Sequence, residues 1–151
     1  MIDGIDRTIL RHLKEDGRMT ATALASKVGL TVAPCHRRLR DLESSGVIRG
    51  YRADIDPASV GLGFEAIVFV TLKQVERTIM AEFEERVTAS PNIVEAQRLF
   101  GSPDYLLKVI AADLPAYQRF YDDELAALPA VERLTSTLVM KNLKTNIGPP
   151  V

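Results

Sequence analysis

The sequence predicts an α+β protein with an N-terminal helix-turn-helix, winged-helix-like domain over residues 1–52, an extended hinge over 53–63, and a C-terminal ferredoxin-like βαββαβ domain over 64–151. Three observations predict it. Apolar residues recur at helical spacing in three short segments of the first half, two of them joined by a three-residue, Gly-containing connection. The second half alternates strand-like and helix-like periodicity in the order β-α-β-β-α-β. Charge divides at the same place: residues 1–52 hold ten Lys or Arg against six acids, a net of +4, and residues 53–151 hold nine against fourteen, a net of −5. The near-neutral total therefore hides a basic half suited to a polyanion and an acidic half suited to something else.

The first helix is expected over residues 3–15, where Ile5, Ile9, Leu10 and Leu13 form one stripe and Asp3 and Asp6 sit where the helix dipole favours negative charge. Gly17 ends it. Thr20 is a good N-cap for a second, short helix carrying Leu24, Ala25 and Val28 and ending at Gly29. Thr31 caps a third helix running to about Ser45, so that Gly29, Leu30 and Thr31 form the tight turn of a helix-turn-helix. A helical wheel puts Cys35, Leu39 and Leu42 on the core side and Ala33, His36, Arg37, Arg40 and Ser44 on the other.

That outward side suits a DNA major groove. Ala33 permits close approach, Pro34 falls in the first turn where no amide is lost, and Arg37 or Arg40 can bind guanine O6 and N7 bidentately. Arg38 lies toward the helix edge and, with Arg49 and Arg52, is placed for phosphates. Thr20 and Thr31, at the starts of the second and third helices, complete the expected DNA-binding set; His36 is either a DNA contact or plain surface, and His12 reads as surface. Cys35 is a small buried hydrophobe.

In the second half, Val47 to Asp56 reads as an extended segment ended by Pro57, and the Pro, Gly and Ser of residues 57–63 mark the hinge. The first strand, residues 64–73, turns Phe64, Ala66, Val68, Val70 and Leu72 to one side and Ile67 and Phe69 to the other. A helix with Ile79, Met80, Phe83 and Val87 follows, then strands over 93–100 and 105–111, a helix with Tyr117, Phe120, Tyr121, Leu125 and Leu128, and a last strand over 131–141. Helices cover one sheet face only, so Ile67 and Phe69 call for a second subunit.

Several functions are excluded or disfavoured. One Cys and two His cannot build a disulfide framework or a Cys-rich zinc site, and the thiol content fits a cytoplasmic protein. No membrane span or signal peptide is expected. Asp122, Asp123 and Glu124 splay around their helix as a solvated face, and no nucleophile–base arrangement or phosphate-cradling loop is present, so no catalysis, metal or cofactor is expected. The turn Gly101-Ser102-Pro103-Asp104-Tyr105 offers amides, a hydroxyl and a carboxylate to a zwitterionic ligand, although the same residues are ordinary turn formers.

These residues resemble the Lrp/AsnC family of feast/famine regulators. The matches in the first half are Ile5-Asp6-Arg7, Ile9-Leu10, Asp16-Gly17-Arg18, Leu24-Ala25, Val28 to Thr31, Pro34-Cys35, Arg38, Leu42-Glu43, Gly46-Val47-Ile48 and Gly50-Tyr51. The second half matches the family's regulation-of-amino-acid-metabolism domain at Gly101, Asp104 to Lys108, Ser136, Val139-Met140 and Lys144. The resemblance implies a homo-oligomeric transcription factor, dimers associating into octamers, which binds pseudo-palindromic double-stranded DNA sites and an amino acid effector at subunit interfaces. It places the effector at Gly101, Ser102, Asp104 and Tyr105, with Ser136 contributing. Similar proteins often carry an acidic or amide residue and then an aromatic between Gly101 and Asp104; Ser102-Pro103 here implies a different effector, or none. An amino acid sensor that contacts protein instead of DNA and a small enzyme built on the second half are the competing classes.

Overall fold

Short polar side chains set where the helices of the first half begin. In the computed structural model, which describes residues 1–145 and 148–151, Asp3 caps α1 (Gly4–Glu15) by accepting from the Asp6 amide at 2.9 Å, while the Asp6 carboxylate accepts from the Asp3 amide at 3.0 Å. This reciprocal box satisfies two donors that a helix start leaves unpaired. Thr20 caps α2 (Ala21–Val28) through its hydroxyl, which accepts from the Ala23 amide at 3.2 Å. The helix ends at Gly29, whose left-handed φ of 70° suits a residue without Cβ. Thr31 starts α3 (Val32–Ser44) in the expected place, but its side chain makes no cap bond.

The three helices close on Ile9, Leu24, Ala25, Cys35 and Leu42, with Leu10, Leu13, Val28, Leu39 and Ile48 packed around them. Beyond α3 the chain forms no strand until residue 64. Its local bonds are of another kind: the Ile48 amide donates to the Leu42 carbonyl at 2.9 Å, and the Tyr51 phenol donates to Glu43 at 2.9 Å. The hinge departs from a plain extended linker. Asp56 accepts from the Ser59 amide at 2.9 Å and organises a short 3-10 turn, Ala58–Val60.

The chain divides into two units, Met1–Asp54 with Lys144–Val151, and Ile55–Leu143. Within the first unit Lys14 Nζ donates to the Pro149 carbonyl at 2.6 Å.

The second unit is a four-stranded antiparallel sheet in the order β2-β3-β1-β4, made of β1 (Phe64–Leu72), β2 (Ile93–Arg98), β3 (Tyr105–Ala111) and β4 (Val131–Leu138). Helices α4 (Arg77–Ala89) and α5 (Leu114–Phe120) close one face. Period-two alternation decides which face: Ala66, Val68, Val70 and Leu72 of β1 and Tyr105, Leu107, Val109 and Ala111 of β3 are buried with Met80, Phe83, Val87, Tyr117 and Phe120. The second helical segment is shorter than its apolar pattern suggested, passing after Phe120 into a π turn, Tyr121–Leu125, that still buries Leu125. Ile67, Phe69, Leu106 and Ile110 lie on the sheet face without helices and are only partly buried. Among the described residues no helix is long and apolar enough to cross a membrane.

Candidate nucleic-acid interface and effector loop

Packing separates the two sides of α3. Cys35 is fully buried and Leu42 nearly so, and burial pushes the Cys35 thiol up from its ordinary value, which leaves it unreactive. Ala33, His36, Arg37, Arg40 and Ser44 are all exposed. Neither Arg37 nor Arg40 meets a carboxylate among the described residues. Pro34 is half-buried in the first turn, Thr31 is exposed with its hydroxyl outside any cap bond, and the Thr20 hydroxyl is taken by its own helix. Val32, 46% exposed at the helix start, joins this surface; outside the polar pattern, it gave no signal in sequence. Arg49 and Arg52 are exposed, also without a carboxylate partner among the described residues.

Arg38, expected to meet phosphates, has carboxylate partners within the chain. Its Nη1 pairs with Asp3 at 2.7 Å and with Asp6 at 2.8 Å, and its side chain is 29% exposed. The capping box of α1 brings the two carboxylates together, and Arg38, on the flank of α3 facing α1, bridges them. The backbone bond from Asp6, followed by the Arg38 guanidinium, holds the Asp3 carboxyl below its ordinary value of 3.8. His12, expected at the surface, is half-buried.

The loop between β2 and β3 is built on Asp104. Its amide donates to the Val70 carbonyl at 2.9 Å, its carbonyl accepts from the Leu99 amide at 2.8 Å, and its Oδ2 accepts from the Leu72 amide at 2.7 Å. Leu72 lies past the last β1–β3 pair, Val70 with Tyr105, so its N–H needs an acceptor from outside the ladder. Tyr105 turns inward, 3% exposed, with its ring 4.5 Å from that of Phe83 and its hydroxyl donating to Glu84 at 2.8 Å. Burial, then the Glu84 carboxylate, pushes its phenol up to about 12. Ser136, opposite Val68 on β4, shares a hydrogen bond with the Tyr117 hydroxyl on the helix-covered face.

Of the predicted effector residues, Gly101, Ser102 and Asp104 thus share one loop, and the side chains of Tyr105 and Ser136 have internal partners instead. Gly101 and Ser102 are exposed, and Asp104 Oδ1 has no hydrogen-bond partner among the described residues. Phe100 stands fully exposed beside them; the expected strand ran through it, which hid its position. Asp122, Asp123 and Glu124 are exposed, and no group of metal-binding side chains occurs among the described residues.

Residues 65–149 match the Lrp/AsnC ligand binding domain, and residues 2–49 match a winged helix-turn-helix DNA-binding family. The chain is 36% identical to the Bkd operon transcriptional regulator of Pseudomonas aeruginosa, over 99% of this chain and 98% of that one. It is 38% identical to the leucine-responsive regulatory protein of Rhizobium meliloti, over 95% and 92%. Its fold is similar to that of an AsnC family transcriptional regulator from Agrobacterium tumefaciens, with a TM-score of 0.93 at 35% identity over 99% and 97% of the two chains. A transcriptional regulator from Neisseria meningitidis, solved as its L-Met complex, gives 0.90 at 34% over 95% and 93%.

The depressed Asp3 carboxyl carries a pH signature. A group whose folded pKa lies below its unfolded value contributes stability above the unfolded value, here near 3.8, and loses it as pH falls through the folded one. Asp3→Asn keeps a capping oxygen and removes the charge. Its unfolding midpoint should lie below wild type at pH 7, with the gap closing as pH drops below 3.8; two thermal profiles that stay parallel over the whole range would contradict the assignment.

Proposed function

The chain belongs to the Lrp/AsnC family of transcriptional regulators, and we propose that it reads DNA with α3 and answers to an amino acid held by the loop at residues 101–104. The observation that carries the reading is the outward side of α3: small at Ala33, cationic at Arg37 and Arg40, and without internal carboxylates to occupy either guanidinium. Arg37 and Arg40 read base edges, and Arg49 and Arg52 hold phosphates. Arg38 drops out of the contact set, since two carboxylates already hold it. Thr31, Ala33, Pro34 and His36 line the approach, and Thr20 serves through its cap.

The working unit is a cytoplasmic homo-oligomer in which a second copy covers Ile67 and Phe69, with dimers, and octamers built from them, matching the two-fold symmetry of pseudo-palindromic sites. Gly101, Ser102 and the remaining oxygen of Asp104 meet the effector where copies adjoin. Amino acid binding by the Neisseria meningitidis relative supports this choice of ligand, and the loss of acidic and aromatic side chains at Ser102-Pro103 shifts the preference to a different amino acid. Regulation then requires tighter binding to one assembly, or to one DNA-competent arrangement, than to another. Control of transcription, not catalysis, is the output.

Arg40→Ala should weaken binding to a selected operator and flatten preference at the base it reads by ~1–3 kcal/mol; unchanged affinity and preference would remove Arg40 from the reading role. For the effector, thermal unfolding against each of the twenty amino acids should reveal one ligand that raises the midpoint. Binding at about 100 times the dissociation constant stabilises by ~2.7 kcal/mol. A flat response to all twenty would take amino acid sensing from the loop.

A further inference from the structure

We propose that the outward face of α1 is a second phosphate-binding surface, which takes DNA backbone beyond the stretch whose groove α3 enters. This rests on the DNA-binding reading above and adds a site to it. Arg7, Arg11 and Lys14 follow one another at i, i+4 and i+7, the spacing that puts side chains on one stripe of a helix, and all three are exposed. The opposite stripe, Ile5, Ile9 and Leu13, packs into the core.

Helix stability does not explain this stripe. Like charges four residues apart repel, and Arg7, the fourth residue of α1, stands near the end where the dipole favours anions. The acids that belong at that end, Asp3 and Asp6, face Arg38 and each other and leave the stripe uncompensated. Among the described residues neither Arg7 nor Arg11 meets a carboxylate. Lys14 donates to the Pro149 backbone carbonyl, a neutral acceptor. Two guanidiniums and an ammonium in a row, without acids between them, fit a regularly spaced polyanion, and a duplex backbone is one.

Its location sets which DNA it meets. Ile9 of α1 and Cys35 and Leu42 of α3 share one core, so the two outward faces diverge from it. Phosphates reached by Arg7 and Arg11 therefore lie outside the stretch seated on α3, on the same duplex where it continues past the site.

The test is Arg7→Gln/Arg11→Gln in the full chain, titrated over a range of salt onto a duplex of about two helical turns and one of about six. Gln retains helix propensity, and an unchanged unfolding midpoint checks that the variant folds. On the long duplex the variant should lose affinity, and its slope of log K against log salt should be shallower by about 1.8 for each protomer engaged, two phosphates being lost per protomer. On the short duplex and in base preference it should match wild type. Equal binding on both lengths, or equal loss on both, would overturn the proposal while leaving α3 as the reader. Normal DNA binding with altered self-association would overturn it in favour of an acidic protein surface. Absence of salt-dependent DNA binding by wild type would overturn both readings together.

Discussion

The bridge from Arg38 to Asp3 and Asp6 ties the flank of α3 to the start of α1. The core of the first unit is small, with Ile9, Leu24, Ala25, Cys35 and Leu42 its buried residues, and Cys35 and Leu42 are the ones α3 supplies. Leu39 packs against the same core, so the apolar stripe sets which side of α3 faces inward. Arg38 adds a polar anchor on the flank between core and solvent, and its two partners are themselves held by the capping box. With those positions fixed, the helical repeat turns Arg37 and Arg40 outward. Helix start, helix packing and helix orientation are thus coupled through one pair of carboxylates.

Asp104 does comparable work in the second unit. By engaging Val70, Leu99 and Leu72 it closes the β2–β3 connection against β1, so that Gly101 and Ser102 project as a loop on a rigid base. A binding loop gains from such support, since less order remains to be imposed when a ligand arrives. Tyr105 anchors the next residue inward through Phe83 and Glu84. The loop at Gly101 and Ser102 lies open in a single chain, and Ile67 and Phe69 on the sheet face without helices are only partly buried.

Elements with strong periodicity were legible in the sequence. Strand β3 begins and ends at the expected residues, and α2 and α3 start at their expected caps, because apolar spacing and capping residues are local signals. The inward and outward sides of α3 followed from the same spacing. What the sequence left unread are pairings between distant residues. Arg38 reads as one more cation of a basic helix until α1 brings Asp3 and Asp6 beside it. Tyr105 reads as ligand-facing until α4 supplies Glu84, and Ser136 until α5 supplies Tyr117, while the Leu72 amide that takes one oxygen of Asp104 lies far off in sequence. The tail shows the same limit: nothing local in residues 148–151 announces that Pro149 meets Lys14.

The most direct measurement is guanine N7 methylation protection across a selected operator, because N7 lies in the major groove and bidentate Arg contacts cover it. Two protected clusters should appear, one helical turn of about 10–10.5 base pairs apart or a multiple of it, as two-fold related α3 helices require. Bound DNA with every guanine N7 still open to methylation would show that α3 does not read the major groove.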